Sequence, residues 1–172
     1  MRVFLFLLLP FFAFADDLSV GLRLLRTKNY AAAEAVLAKH DEPIALFGKA
    51  LCHIALGELD KSQQELKQII IAPCECKDRD LKIENEQAKA YQCRQKIRSV
   101  ANQMRTLVER TVQETVPGIT KKIAVLRELY PYIDLLEKNG IDCCDNHYKW
   151  ECCTEPLVQQ FEIWNSEGLT QE

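Results

Sequence analysis

LSVGLRLLRTKNYAAAEAVLAKHDEP, residues 18–43, sets the fold class. It contains an apolar helical segment, a short polar turn at Thr27-Lys28-Asn29, and a second helical segment running toward Pro43. Residues 45–73, ALFGKALCHIALGELDKSQQELKQIIIAP, repeat that layout, with a turn at Gly57-Glu58 and Pro73 at the end. Neither stretch shows the period-two alternation of a half-buried strand, and both are rich in strong helix formers. Asn29 and Gly57 are residue types that tolerate the left-handed backbone on which helices end. Pro43 and Pro73 read as stops, because proline cannot continue a helix. Gly21 and Ala33 fall where the first two helices approach closely, and Ala50 and Ser62 take those places in the second pair. Leu37 and Leu66 supply a large apolar residue four positions beyond Ala33 and Ser62.

The pattern Gly21, Tyr30, Ala33, Leu37, Pro43, then Ala50, Gly57, Leu59, Ser62, Leu66, Pro73 resembles the tetratricopeptide repeat, a helix-turn-helix unit of about 34 residues. The resemblance covers residues 17–73; its turn-to-turn spacing is shorter than the family's, and the aromatic early in the first helix is missing. It implies stacked helices forming a curved surface that binds peptides or other proteins. Some members hold a terminal carboxylate with lysine and asparagine on the first helices. Here the first helix of the second unit offers Phe47, Leu51 and Ile54 instead. Such a stripe suits an amphipathic partner helix where it is exposed, and helix packing where it is buried.

From Asp80 to Val116 there is neither proline nor glycine, and Tyr91, Ile97, Val100, Met104, Leu107, Val108 and Val112 recur at helical steps. One long helix is expected, capped by Asp78 or Asp80 and ended by Pro117-Gly118. A second helix, Thr120 to Lys138, carries Ile123, Leu126, Leu129, Ile133 and Leu136. Pro131 should kink or split it near Tyr130, and Asn139-Gly140 should end it. A short last helix from Pro156 packs Leu157, Phe161 and Trp164. The expected fold is all-α: two repeat-like hairpins, a long helical hairpin and a short C-terminal helix, stapled by disulfides. Residues 16–73 and 74–172 read as one continuous domain.

Residues 1–15, MRVFLFLLLPFFAFA, have the layout of a cleaved secretory signal: Arg2, an apolar core, then Ala13-Phe14-Ala15. The apolar run is shorter than the roughly 20 residues a spanning helix needs, so membrane insertion after cleavage is not expected. The chain carries 22 Lys plus Arg against 25 Asp plus Glu, for a net charge of −3, without a basic block. That balance lacks the electrostatic footprint of a nucleic-acid binder.

An exported chain meets oxidising conditions, where thiols pair. Of the eight cysteines, Cys74, Cys76, Cys93, Cys143, Cys144, Cys152 and Cys153 are the disulfide candidates. Cys143/Cys144 and Cys152/Cys153 can close a small loop, and the Cys74/Cys76 turn can also reach that loop. Cys74 or Cys76 could reach Cys93 only if the chain folds back, since a straight helix from Asp80 to Cys93 is about 20 Å long. Cys52, mid-helix, reads as a buried free thiol. A zinc site from Cys143, Cys144, Cys152 and Cys153, or three of them with His147, is the weaker alternative: adjacent cysteines rarely both face one ion. The chain has no Cys-x-x-Cys for redox work and no glycine-rich phosphate loop. His40 reads as solvent-facing, and His53 as a packing residue. No catalytic constellation or cofactor motif emerges, so an enzyme is not expected. The expected function is an exported helical adaptor that binds another protein, in a bacterial periplasm or cell envelope. The rival is a cysteine-rich envelope component cross-linked between molecules as a disulfide-linked oligomer. A thiol- or zinc-handling protein stands third.

Overall fold

A computed structural model describes residues 17–71, 86–145 and 155–166. Among these residues the chain is all-α, with seven helices and no strand. In order they are α1 (Asp17–Arg26), α2 (Tyr30–Leu37), α3 (Pro43–Leu56), α4 (Leu59–Ile71), α5 (Glu86–Thr115), α6 (Ile119–Asp145) and α7 (Glu155–Ser166). Consecutive helices pack as hairpins, α1 on α2, α3 on α4, and α5 on α6. Pro73, Cys74, Cys76, Asp78 and Asp80 lie outside the described residues, as do His147, Cys152, Cys153 and the signal-like segment.

The two repeat-like turns end their first helices in the same way. At the end of α1 the Asn29 N–H donates to the Leu24 carbonyl (2.9 Å) and the Lys28 N–H to that of Leu25 (3.0 Å). At the end of α3, Glu58 donates to His53 (2.8 Å) and Gly57 to Ile54 (3.1 Å). Both are paired closing bonds around a left-handed residue. That residue is Gly57 (φ 78°) in the second turn but Lys28 (φ 60°), not Asn29, in the first. Asn29, at φ −85°, instead precedes α2, and its carbonyl accepts the Ala33 N–H at 2.9 Å. Pro43 likewise differs from expectation. α2 already ends at Leu37, and Pro43 opens α3, where the missing N–H would have had no helical partner.

Leu37 explains why α1 to α3 sit so close. It is fully buried between two glycines. A Cβ on Gly21 would lie 2.6 Å from Leu37 Cδ2, and one on Gly48 would lie 2.8 Å from Leu37 Cδ1. Ala33, Ala50, Ser62 and Leu66 are buried as well.

α5 and α6 form the long hairpin, turning at Gly118, whose φ of 78° is left-handed. α6 is not split at Pro131 and does not end at Asn139-Gly140; it runs unbroken to Asp145. Pro131 is exposed, where water can satisfy the carbonyl that loses its N–H partner. Gly140 serves close approach rather than exit, since a Cβ there would fall 2.8 Å from Ile97 Cγ2 on α5. The hairpin buries Ile97, Met104, Val108 and Val112 against Leu129, Ile133 and Leu136. Arg105 donates to Asp134 (2.7 Å) and Glu137 (2.6 Å) across it, and Arg94 pairs with Asp145. α4 lies beside α6, with Gln63 donating to Glu128 (3.2 Å) and the Lys67 ammonium 5.7 Å from the Tyr132 ring centre. One continuous cluster of buried apolar residues draws on all seven helices.

Candidate functional site

The α3 stripe is the first place to look for a binding surface, and the structure closes it. Phe47, Leu51 and Ile54 are 0%, 3% and 3% exposed, so the exposure a partner-binding role requires is absent. For Phe47 the reason lies at the other end of the sequence. The Phe47 ring sits 5.6 Å from that of Phe161 and 5.4 Å from that of Trp164, both on α7. Phe161 and Trp164 stack on each other at 6.0 Å. Gln160 of α7 adds a polar anchor: its Oε1 accepts the Ile44 N–H at 3.0 Å. That N–H belongs to the first turn of α3, where backbone donors lack helical partners. Glu42, the residue before α3, makes no side-chain cap there. α7 therefore covers Phe47 and caps the start of α3. Neither the Gln160 cap nor the crowding at Gly48 could be read from residue spacing, because both depend on which helices meet.

The cysteines resolve in part. Cys93 of α5 and Cys144 of α6 form a disulfide, with Cα atoms 5.7 Å apart. This corrects the expectation that Cys144 bridges toward Cys152/Cys153 or toward the Cys74/Cys76 turn. Because α6 continues past Gly140, Cys143 and Cys144 lie on its last turn rather than in a loop, and Cys144 faces α5. A sulfur in a disulfide is not a thiolate ligand, so a zinc set that includes Cys144 falls. Among the described residues no group of three or more metal-binding side chains converges. Cys52 is buried and free, as expected, and burial pushes its thiol up to about 12. It is protonated and unreactive near neutral pH.

The histidines are tied into local polar pairs. His53 is buried, its Nδ1 2.9 Å from Glu58 Oε2, while Glu58 Oε1 accepts from Lys61 at 2.9 Å. The Lys61 ammonium, then His53, hold the Glu58 carboxyl below its usual range. His40 is half-buried rather than solvent-facing and lies 3.5 Å from Glu42. Lys49 is buried on α3, 3.6 Å from Glu65 and 3.9 Å from Asp41. Two of these polar atoms, His40 Nε2 and Glu65 Oε2, are buried without a hydrogen-bond partner among the described residues.

A different surface remains uncovered. At the start of α6, Ile119 is 75% exposed and Ile123, one turn later, 45%. Half-buried Leu126 and Tyr130 continue the same stripe toward the core. Periodicity marked Ile123 as core-facing and passed over Ile119. Lys122, between them, donates to the Gln113 carbonyl at 2.7 Å, so this end of α6 lies beside the end of α5 and the two isoleucines stay on its solvent-exposed side. Among the described residues no helix is long and apolar enough to cross a membrane. Comparison of the chain with protein-family models, curated proteins and solved structures finds no match.

Proposed function

We propose that the chain is an exported, tetratricopeptide-like helical adaptor that binds another protein in a bacterial periplasm or cell envelope. The observation that carries this reading is the apolar pair Ile119 and Ile123, exposed on successive turns at the start of α6. Full burial of an isoleucine contributes about 1.5–3 kcal/mol, so covering what these two still expose contributes about 2–3.5 kcal/mol together. The pair continues into Leu126 and Tyr130, so a partner helix laid along it would join the existing core edge. The Cys93–Cys144 disulfide is in keeping with an oxidising compartment. It also favours the adaptor over the cross-linked envelope component, because it closes two of the candidate cysteines within the chain.

The test is photo-cross-linking in the native host, with a photoreactive residue at position 119 or 123 and a control at the exposed Gln95 of α5. The reading expects one heterologous adduct from 119 and 123 and none from 95. No adduct, or the same adduct from all three positions, contradicts it.

A further inference from the structure

The start of α6 is charged against its own stability. Residues 119–127 hold Lys121, Lys122 and Arg127 and no acid, in a chain whose net charge is −3. The N-terminal end of a helix favours acids and disfavours cations, yet the first turn of α6 has no acid. Lys122 donates to the Gln113 carbonyl and to Gln113 Oε1, at 2.7 and 3.0 Å, and neither acceptor is charged. Lys121 and Arg127 are exposed and meet no carboxylate among the described residues. The neighbouring carboxylates are engaged elsewhere: Glu109 accepts from Tyr130, Glu114 pairs with Lys28, and Glu128 accepts from Gln63 of α4. A helix end that breaks a local rule in this way is where function is expected.

We infer that this surface takes an acidic amphipathic helix of a partner protein. The inference rests on the adaptor reading and adds the partner's shape and charge. The apolar residues form a line: Ile119, Ile123, Leu126 and Tyr130 follow at helical steps and span about 16 Å along the axis. That length matches about three turns of a second helix laid beside α6. A lipid surface would instead call for apolar groups gathered at one depth. Lys122, three residues after Ile119, and Arg127, four residues after Ile123, lie beside the line. Asp or Glu residues flanking the partner's apolar stripe meet those two cations. Lys121 is two residues from each isoleucine and faces away, so it adds to the local positive field without contact. A second copy laid on the same line brings its own Lys122 and Arg127 into one interface, where like charges repel.

The experiment uses the full chain and two labelled amphipathic helical peptides. Both carry the same leucine stripe, flanked by glutamates in one and by lysines in the other. Fluorescence anisotropy at low salt should find the glutamate peptide bound at least about fourfold tighter. Arg127→Glu should erase that preference. Lys121→Glu, the same change of charge on the side away from the stripe, should leave most of it. Both positions are exposed, so each variant should keep its far-UV circular dichroism and urea midpoint. Ile119→Asp with Ile123→Asp should remove binding of both peptides. Equal affinities for the two peptides, or a preference that survives Arg127→Glu, overturn the inference and leave the adaptor reading standing. Binding of neither peptide also overturns it, and photo-cross-linking at 119 and 123 then decides the adaptor reading by itself. Co-sedimentation with phosphatidylcholine–phosphatidylglycerol vesicles that needs Ile119 and Ile123 would assign the surface to lipid. A dimer lost on the same two substitutions would assign it to a second copy. Either of those results overturns the inference.

Discussion

Replacing Gly21 by Ala should change sign according to the residue at position 37. In the native chain the new Cβ would lie 2.6 Å from Leu37 Cδ2 and 2.8 Å from its Cγ. Leu37 has little room to swing away, because Gly48 already crowds its Cδ1 methyl from α3. Overpacking of this kind costs about 1–3 kcal/mol, offset by about 0.5–1 kcal/mol from removing a mid-helix glycine. The net effect of Gly21→Ala is a loss of up to about 2.5 kcal/mol. In a Leu37→Ala background, itself costing about 2–5 kcal/mol, the clashing atoms are gone and only Val36 Cγ1, at 3.3 Å, stays near. There Gly21→Ala should stabilise by about 0.5–1 kcal/mol. A double-mutant cycle by urea unfolding, followed by far-UV circular dichroism, measures the difference, expected at about 1–3 kcal/mol. If Gly21→Ala destabilises equally in both backgrounds, Leu37 is not the wedge that spaces α1, α2 and α3.

The Cys93–Cys144 bridge closes a span of 51 residues, so removing it by Cys93→Ser with Cys144→Ser should cost about 4 kcal/mol by the loop-closure estimate. A urea midpoint that barely moves would contradict that. Cys52, with its thiol pushed up to about 12 by burial, should resist iodoacetamide near neutral pH in the folded chain and react once urea unfolds it. Rapid labelling of Cys52 in the native protein would show that the α3 core opens. Burial and its hydrogen bond to Glu109 push Tyr130 up to about 12, from an ordinary value of 10.0. A raised folded-state value means this contribution is complete below about pH 10 and is lost as pH rises toward about 12. Tyr130→Phe should therefore flatten the alkaline fall in stability over that window, and an unchanged slope would remove Tyr130 as its cause.

The helical periods, the left-handed exit at Gly57 and the hairpin turn at Pro117-Gly118 were legible because each is a local property of the chain. The departures arise where tertiary contact decides. Asn29 is the better left-handed residue by type, yet the closing bonds of α1 place Lys28 there, and Lys28 reaches Glu114 of α5 at 3.0 Å. Pro131 reads as a break only until its exposed setting is known. Gly140 reads as an exit only until Ile97 is seen against it. Continuing α6 through both residues brings Cys144 beside Cys93, a pairing hinted at by their near-equal distances along the chain from Pro117-Gly118. Phe47, Leu51 and Ile54 were legible as an apolar stripe, but nothing local to α3 shows that α7 covers Phe47. The exposed pair at Ile119 and Ile123 was hidden for the opposite reason, since apolar periodicity does not reveal which apolar residues the neighbouring helices leave uncovered.

The most direct test of the adaptor reading is the affinity of the cross-linked partner for the native chain and for the Ile119→Asp, Ile123→Asp double variant. Acidic residues suit the start of a helix, and both positions are exposed, so the variant should keep its far-UV dichroism and urea midpoint. Losing from the interface the exposed parts of both isoleucines, which are 75% and 45% exposed, removes about 2–3.5 kcal/mol and should weaken Kd by at least about 20-fold. An unchanged Kd with the fold intact would mean that the partner does not bind at the start of α6, and the proposed surface would be wrong.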